Sequence, residues 1–135
     1  MLIDELKNIA RNNGIVGAGG AGFPAYAKMT EKADTVILNC VECEPLLKLH
    51  RQLLATHTEE IIQMLDEVRE SFGAKEAVIG IKSEYVTTIK AIEEVIGDFP
   101  NVRICALKAA YPMGDEVVLI YEATGRAVSY THLTL

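Results

Sequence analysis

The sequence predicts an α/β fold, a three-layer sandwich built on a parallel, Rossmann-like sheet. Three short apolar runs, Asp34–Asn39, Ala77–Lys82 and Val102–Leu107, have the length and composition of strands buried on both faces. Amphipathic stretches long enough to be crossover helices separate them. Glycines stand where those helices should stop, at Gly73, Gly97 and Gly125. Strands alternating with helices imply parallel pairing and right-handed crossovers, and ligands of such sheets bind outside the carboxyl ends of the strands.

Taken in order, Leu2 to Asn13 carries apolar side chains at Leu2, Ile3, Leu6, Ile9 and Ala10, a helical stripe stopped by Asn13-Gly14. A glycine-rich loop runs from Gly14 to Lys28, and the first strand follows, with Asn39 at its carboxyl end. From about Lys48 to Phe72, Leu54, Ile61, Leu65, Val68 and Phe72 recur at helical intervals and predict one long helix. The second strand leads to a helix over Glu84 to Ile96, with Ser83 as its N-cap. After the third strand, Val117, Val118, Ile120, Tyr121 and Thr124 give Asp115 to Thr124 a helical period, with two carboxylates in the first turn where the helix dipole favours them. The expected order is helix, loop, then βαβαβα.

Size and composition narrow the function classes. A chain of 135 residues, 50% hydrophobic, fills one core and not two. A formal charge of -6 with no basic cluster argues against nucleic acid or an anionic membrane surface as partner. No apolar run approaches the roughly 20 residues of a membrane span, so no direct membrane insertion is expected. The start, MLIDELK, lacks the pattern of a signal peptide, and a cytoplasmic protein is expected. Cys40, Cys43 and Cys105 are too few and too irregular for a disulfide framework.

The run GIVGAGGAGFPAYAK, Gly14 to Lys28, is the most informative stretch. Clustered glycines at Gly17, Gly19, Gly20 and Gly22 suit a backbone that approaches a phosphate-bearing group closely. Gly17, Gly19 and Gly22 match G-x-G-x-x-G, but that fingerprint needs a strand before it, and here a helix precedes. A Rossmann phosphate loop, a structural connection and a cofactor loop of another build all remain open. Lys28 is the nearby cation that could meet a phosphate, or an ordinary surface lysine.

Asn39-Cys-Val-Glu-Cys-Glu-Pro45 places Glu42 and Glu44 directly after an apolar strand. Carboxylates there can accept hydrogen bonds from ribityl or ribose hydroxyls, a carboxamide or a flavin N–H. Equally, they read as solvated loop residues. Cys40 and Cys43 form C-x-x-C, which permits a dithiol oxidoreductase or two small semi-buried residues; the second fits better, because Glu42 between them opposes a thiolate. With three thiols in all, a zinc or iron–sulfur site lacks ligands, and no metal is expected in this chain. His50 and His57, seven apart, read as packed or capping side chains. Tyr111-Pro-Met-Gly-Asp-Glu116 opens the last helix, where Gly114, Asp115 and Glu116 are either a helix start alone or part of a ligand rim.

Three motifs thus stand in order: G-x-G-G-A-G-F-P with a following lysine, N-x-x-E-x-E-P, and Y-P-x-G-D-E ending in T-G-R. Together they resemble the flavin domain shared by the Rnf complex C subunit and the NADH-oxidising 51 kDa subunit of complex I, over about Leu2 to Arg126. The wording looks closest to the Rnf C-like electron-transfer protein associated with proline reductase. The resemblance implies non-covalent FMN, NADH as hydride donor, and onward transfer of single electrons to iron–sulfur centres (4Fe-4S) in domains outside this chain. By that resemblance Gly17, Gly19, Gly20 and Lys28 hold the phosphate and ribityl chain. Asn39, Val41, Glu42 and Cys43 flank the flavin, Gly114, Asp115 and Glu116 border both ligands, and Phe23, Glu44 and Glu116 meet NADH. No side chain is then a catalytic acid or base, since hydride transfer is the cofactor's chemistry.

The chain departs from the complex I subunit at Ala18, where that subunit has arginine, and at Val41, where it has aspartate; weaker FMN retention is the expected consequence. Residues 1–126 are expected to be the FMN- and NADH-binding domain, and 127–135 a foreign or disordered tail. Expected partners are redox proteins: an Rnf-type complex at the cytoplasmic face of a membrane, ferredoxin or proline reductase. Self-association of the fragment is a further expectation. A non-catalytic docking fragment without cofactor is the alternative reading.

Overall fold

A computed structural model describes residues 1–17, 21–29, 32–42, 48–108, 116–125 and 132–134, and for 116, 117 and 132–134 the backbone alone. The elements run α1 (Ile3–Asn12), a 3₁₀ turn (Ala25–Lys28), β1 (Thr35–Asn39), α2 (Leu49–Thr56), α3 (Thr58–Ser71), β2 (Glu76–Lys82), α4 (Val86–Ile96), β3 (Val102–Leu107), α5 (Glu116–Thr124) and β4 (His132–Thr134). All pairings in the sheet are parallel, in the order β3-β2-β1-β4.

Alternation of side chains along the strands explains the layers. Val36 and Cys40 of the β1 segment, Ala77, Ile79 and Ile81 of β2, and Val102 of β3 pack with Leu6, Leu54, Ile62, Leu65, Phe72 and Ile92, so α1 to α4 cover one face. The intervening positions Ile37, Val41, Val78 and Leu107 pack with Leu119, Ile120 and Ala123, so α5 covers the other. Gly80 lies on that second face because a Cβ there would come within 2.7 Å of Leu119 Cδ1. The expected three-layer α/β sandwich is what is found.

Strand order carries the functional consequence. From β1 the chain winds through β2 to β3 and then returns past β1 to β4. The reversal places a topological switch point between β1 and β4, where α/β sheets open a crevice at the carboxyl ends of their strands. Asn39 to Glu42 follow directly on β1.

Three local expectations are corrected. The long helix of 48–72 is two helices broken at His57, which takes φ -123° and ψ 38°. Hydroxyls on either side of His57 compete for helical carbonyls: Thr56 Oγ1 donates to Gln52 O at 2.8 Å and Thr58 Oγ1 to Leu54 O at 2.7 Å. Ser83 is not a cap; its N–H donates to Leu107 O at 2.8 Å, and α4 starts three residues later without a side-chain cap. Among the described side chains of α5 the core positions are Leu119, Ile120 and Ala123, while Tyr121 is 60% exposed. Within 127–135, β4 pairs His132, Leu133 and Thr134 with Thr35, Val36 and Ile37 along the other edge of β1.

No helix of the described residues is long and apolar enough to cross a membrane.

Candidate functional site

The glycine loop is stapled at its base. Ile15 N–H donates to Ala10 O at 2.9 Å, Ala25 N–H to Ile15 O at 3.0 Å and Gly17 N–H to Phe23 O at 2.9 Å. Val16 and Pro24 pair antiparallel. The chain thus leaves α1, turns and comes back on itself, and an ordinary Rossmann strand–loop–helix phosphate loop is excluded. Gly22, at φ 69°, takes a left-handed conformation that glycine adopts without strain. Arg11 lies 5.7 Å from the centre of the Tyr26 ring and ties the 3₁₀ turn to α1. Phe23 is 51% exposed, and Lys28 Nζ sits 5.5 Å over its ring. Two residues singled out from sequence, the aromatic and the cation, are therefore neighbours on one side of the loop. Gly19 and Gly20 lie outside the described residues.

At the end of β1, Asn39 Oδ1 accepts from Val41 N–H at 3.0 Å, an Asx turn that ends the strand. Cys40 N–H still donates to Gly80 O at 2.8 Å, so the turn begins while the chain is held to β2. Val41 points into the α5-side core and offers a ligand only its backbone. Glu42 is 6% exposed. Its Oε1 accepts from His50 N–H at 2.9 Å, in the first turn of α2. Its Oε2 is buried with no hydrogen-bond partner among the described residues. A buried carboxylate oxygen without a donor is costly, and it marks the place where a ligand N–H or O–H would be accepted. Cys43, Glu44, Gly114 and Asp115 lie outside the described residues, as does the side chain of Glu116.

His50 is exposed rather than packed; its contribution is its backbone N–H, which sequence spacing does not reveal. His57 is half-exposed at the helix junction, 3.8 Å from Glu60.

Cys40 is buried, and burial first and the Glu42 charge second push its thiol from 9.0 up to about 12. It therefore supplies no thiolate near neutrality, which removes the attacking thiol that a dithiol mechanism would place there. Between 9.0 and about 12 the folded chain keeps a proton that the unfolded chain gives up. Stability is expected to fall as pH rises through that window, by at most about 1.4 kcal/mol per pH unit from this group. Urea midpoints of the parent and a Cys40→Ala variant across the window check this: the parent should lose more than the variant.

Other clefts lie away from these residues. One of about 320 Å³ separates α2 from α4 and is lined by Arg51, Gln52, Glu84, Tyr85 and Thr88. There Arg51 stacks 4.3 Å from the Tyr85 ring centre, and Thr88 Oγ1 donates to Arg51 O at 3.2 Å, contacts that join the two helices.

Known proteins share this pattern in sequence and in fold. The Nuo51 FMN-binding domain family matches residues 10–135. Cobalamin reductase PduS of Citrobacter freundii is 39% identical over 123 residues, which cover 91% of this chain and 27% of that protein. The C subunit of the Na(+)-translocating ferredoxin:NAD(+) oxidoreductase complex of Acetobacterium woodii is 35% identical over 129 residues, 93% of this chain and 29% of that protein. The chain thus spans under a third of the length of these relatives. Among solved structures, a chain of an NAD+-reducing NiFe-hydrogenase in the air-oxidized state superposes with a TM-score of 0.77 at 22% identity, covering 98% of this chain and 28% of that one, a likeness of fold. A helix-led glycine loop, an Asx turn closing β1 and a family match over nearly the whole chain agree: the chain belongs to the Nuo51 FMN-binding domain family.

Proposed function

We propose that this chain binds FMN at the carboxyl end of β1 and serves as the flavin domain of an NADH-linked electron-transfer protein. The observation that carries the reading is the buried Glu42 Oε2, without a partner among the described residues, beside the switch point of the sheet, an acceptor suited to a flavin N–H or a ribityl hydroxyl. The family to which the chain belongs supports FMN as the group concerned.

In this reading Gly17, Gly19, Gly20 and Lys28 hold the phosphate and ribityl chain, and Asn39, Val41, Glu42 and Cys43 flank the ring. Gly114, Asp115 and Glu116 close the other side. Phe23, with its exposed ring, together with Glu44 and Glu116 receives NADH. The chemistry FMN supplies when bound is acceptance of a hydride and release of electrons one at a time. The protein's own part is to orient both ligands and to present hydrogen-bond acceptors, with no side chain acting as acid or base. Val41 serves through its main chain, since its side chain belongs to the core.

Relatives named as components of a ferredoxin:NAD(+) oxidoreductase complex, or as a cobalamin reductase, support redox proteins as partners. Onward transfer runs to iron–sulfur centres outside this chain, in an Rnf-type assembly at the cytoplasmic face of a membrane or in a protein feeding proline reductase. Titrating FMN with purified protein is expected to quench flavin fluorescence, and the loaded protein is expected to reduce ferricyanide with NADH. Absence of quenching at micromolar protein would count against retained binding; quenching without NADH-dependent reduction would reduce the chain to a flavin-binding docking domain.

A further inference from the structure

The two oxygens of Glu42 are used differently. Oε1 accepts from the His50 N–H at 2.9 Å, while Lys48, the residue at the N-cap position of α2, makes no side-chain bond to the helix. Glu42 therefore caps α2 from eight residues upstream. A carboxylate suits that place, because the first-turn amides and the positive end of the helix dipole offset its lost hydration. Oε2 gains nothing from the helix and is buried without a partner among the described residues. α2 in turn is fastened to α4 through the Thr88 bond to Arg51 O and the Arg51–Tyr85 stack. The Glu42–His50 bond thus ties the end of β1 to the first turn of α2 and so to the α2–α4 layer.

We propose that Glu42 is a positioning residue that couples ligand binding to the first turn of α2. One oxygen clamps the first turn of α2, the other accepts from a donor on the ligand, and a shift of the carboxylate toward either partner is felt at the other. Coupling of this kind is reciprocal: a ligand that fixes Oε2 tightens the α2 cap, and loss of the cap weakens the ligand. The identity of the ligand donor rests on the flavin reading above. The clamp does not.

Amide hydrogen exchange at His50, Arg51 and Gln52, measured with and without FMN in the parent, Glu42→Gln and Glu42→Ala, tests the proposal. Without ligand, Glu42→Ala is expected to lose about tenfold in protection at His50, the scale of a hydrogen bond to a charged group. Glu42→Gln should keep most of it, since a carboxamide oxygen still accepts. FMN should raise protection at all three amides in the parent and bind Glu42→Gln at least about tenfold more weakly, because an NH₂ group would then face the ligand donor. Unchanged ligand-free protection in Glu42→Ala, or parent-like FMN affinity in Glu42→Gln, overturns the proposal. If Glu42→Ala does not fold, Glu42→Asp, one methylene too short to reach His50, provides the same comparison. Should the parent bind no FMN, the flavin reading fails, and the ligand-free exchange still decides whether Glu42 clamps α2.

Discussion

Replacing Val41 by aspartate is expected to destabilise the fold by about 3–5 kcal/mol, the range seen when a charge is left buried without a partner. Val41 is 4% exposed and packs among Ile37, Val78, Leu107, Leu119, Ile120 and Ala123, apolar side chains that offer a carboxylate no donor. Such a loss is a large share of the roughly 5–15 kcal/mol that holds a domain of this size together. The pH dependence should identify the cause. In the variant the folded state takes up the carboxylate proton more readily than the unfolded state, so its deficit shrinks as pH falls from 7 toward 4. Urea midpoints across that range check both the size and the sign. The substitution is informative because the complex I subunit has aspartate at this position. In the present fold that side chain would have to leave the α5-side core, which a change at Val41 alone does not allow.

The second large effect is expected at Gly80. Its Cβ would lie 2.7 Å from Leu119 Cδ1 and 3.6 Å from Cδ2, and Leu119 is fully buried. Gly80→Ala must therefore displace the buried Leu119 side chain, at about 1–3 kcal/mol. Leu119→Ala alone should cost about 2–5 kcal/mol through the cavity it leaves. Because the new methyl group would partly fill that cavity, the double variant is expected to be less destabilised than the sum of the two singles. Strict additivity in thermal or urea unfolding would show that β2 and α5 are not in the contact described.

The same contact shows where sequence reading reaches and where it stops. The three strands β1, β2 and β3 are legible to within a residue, because short runs such as Ala77-Val-Ile can be buried on both faces only in a sheet covered by helices. The helix stops are legible for a local reason too: Gly14, Gly73 and Gly125 all take positive φ. The phase of α5 is not legible, since Val117, Val118, Leu119, Ile120, Tyr121 and Ala123 are apolar almost all round, and what selects Leu119 is the gap at Gly80 on a strand far away in sequence. The break at His57 arises from hydroxyl competition that the apolar period of the flanking helices conceals. β4 depends on an unpaired sheet edge, a feature of topology and not of its three residues.

The candidate site divides in the same way. Residue types and order point to Glu42, Asn39, Phe23 and Lys28. Their different stations come from the fold: Asn39 ends the strand, Lys28 lies over Phe23, and Glu42 turns inward to the α2 amide. A bond between residue 42 and the main chain of residue 50 has no sequence signature, because any residue but proline offers that N–H. Val41 enters the expected site through its neighbours, but strand alternation sends its side chain to the opposite layer.

The central claim, that FMN binds at the carboxyl end of β1 with the glycine loop as its phosphate site, is tested most directly by following backbone amide shifts of the labelled chain during titration with FMN. The account predicts saturable changes confined to Gly17–Phe23, Asn39–His50 and the start of α5. Changes centred instead on Arg51, Tyr85 and Thr88 in the α2–α4 cleft, with Glu42 and the glycine loop unmoved, would contradict it.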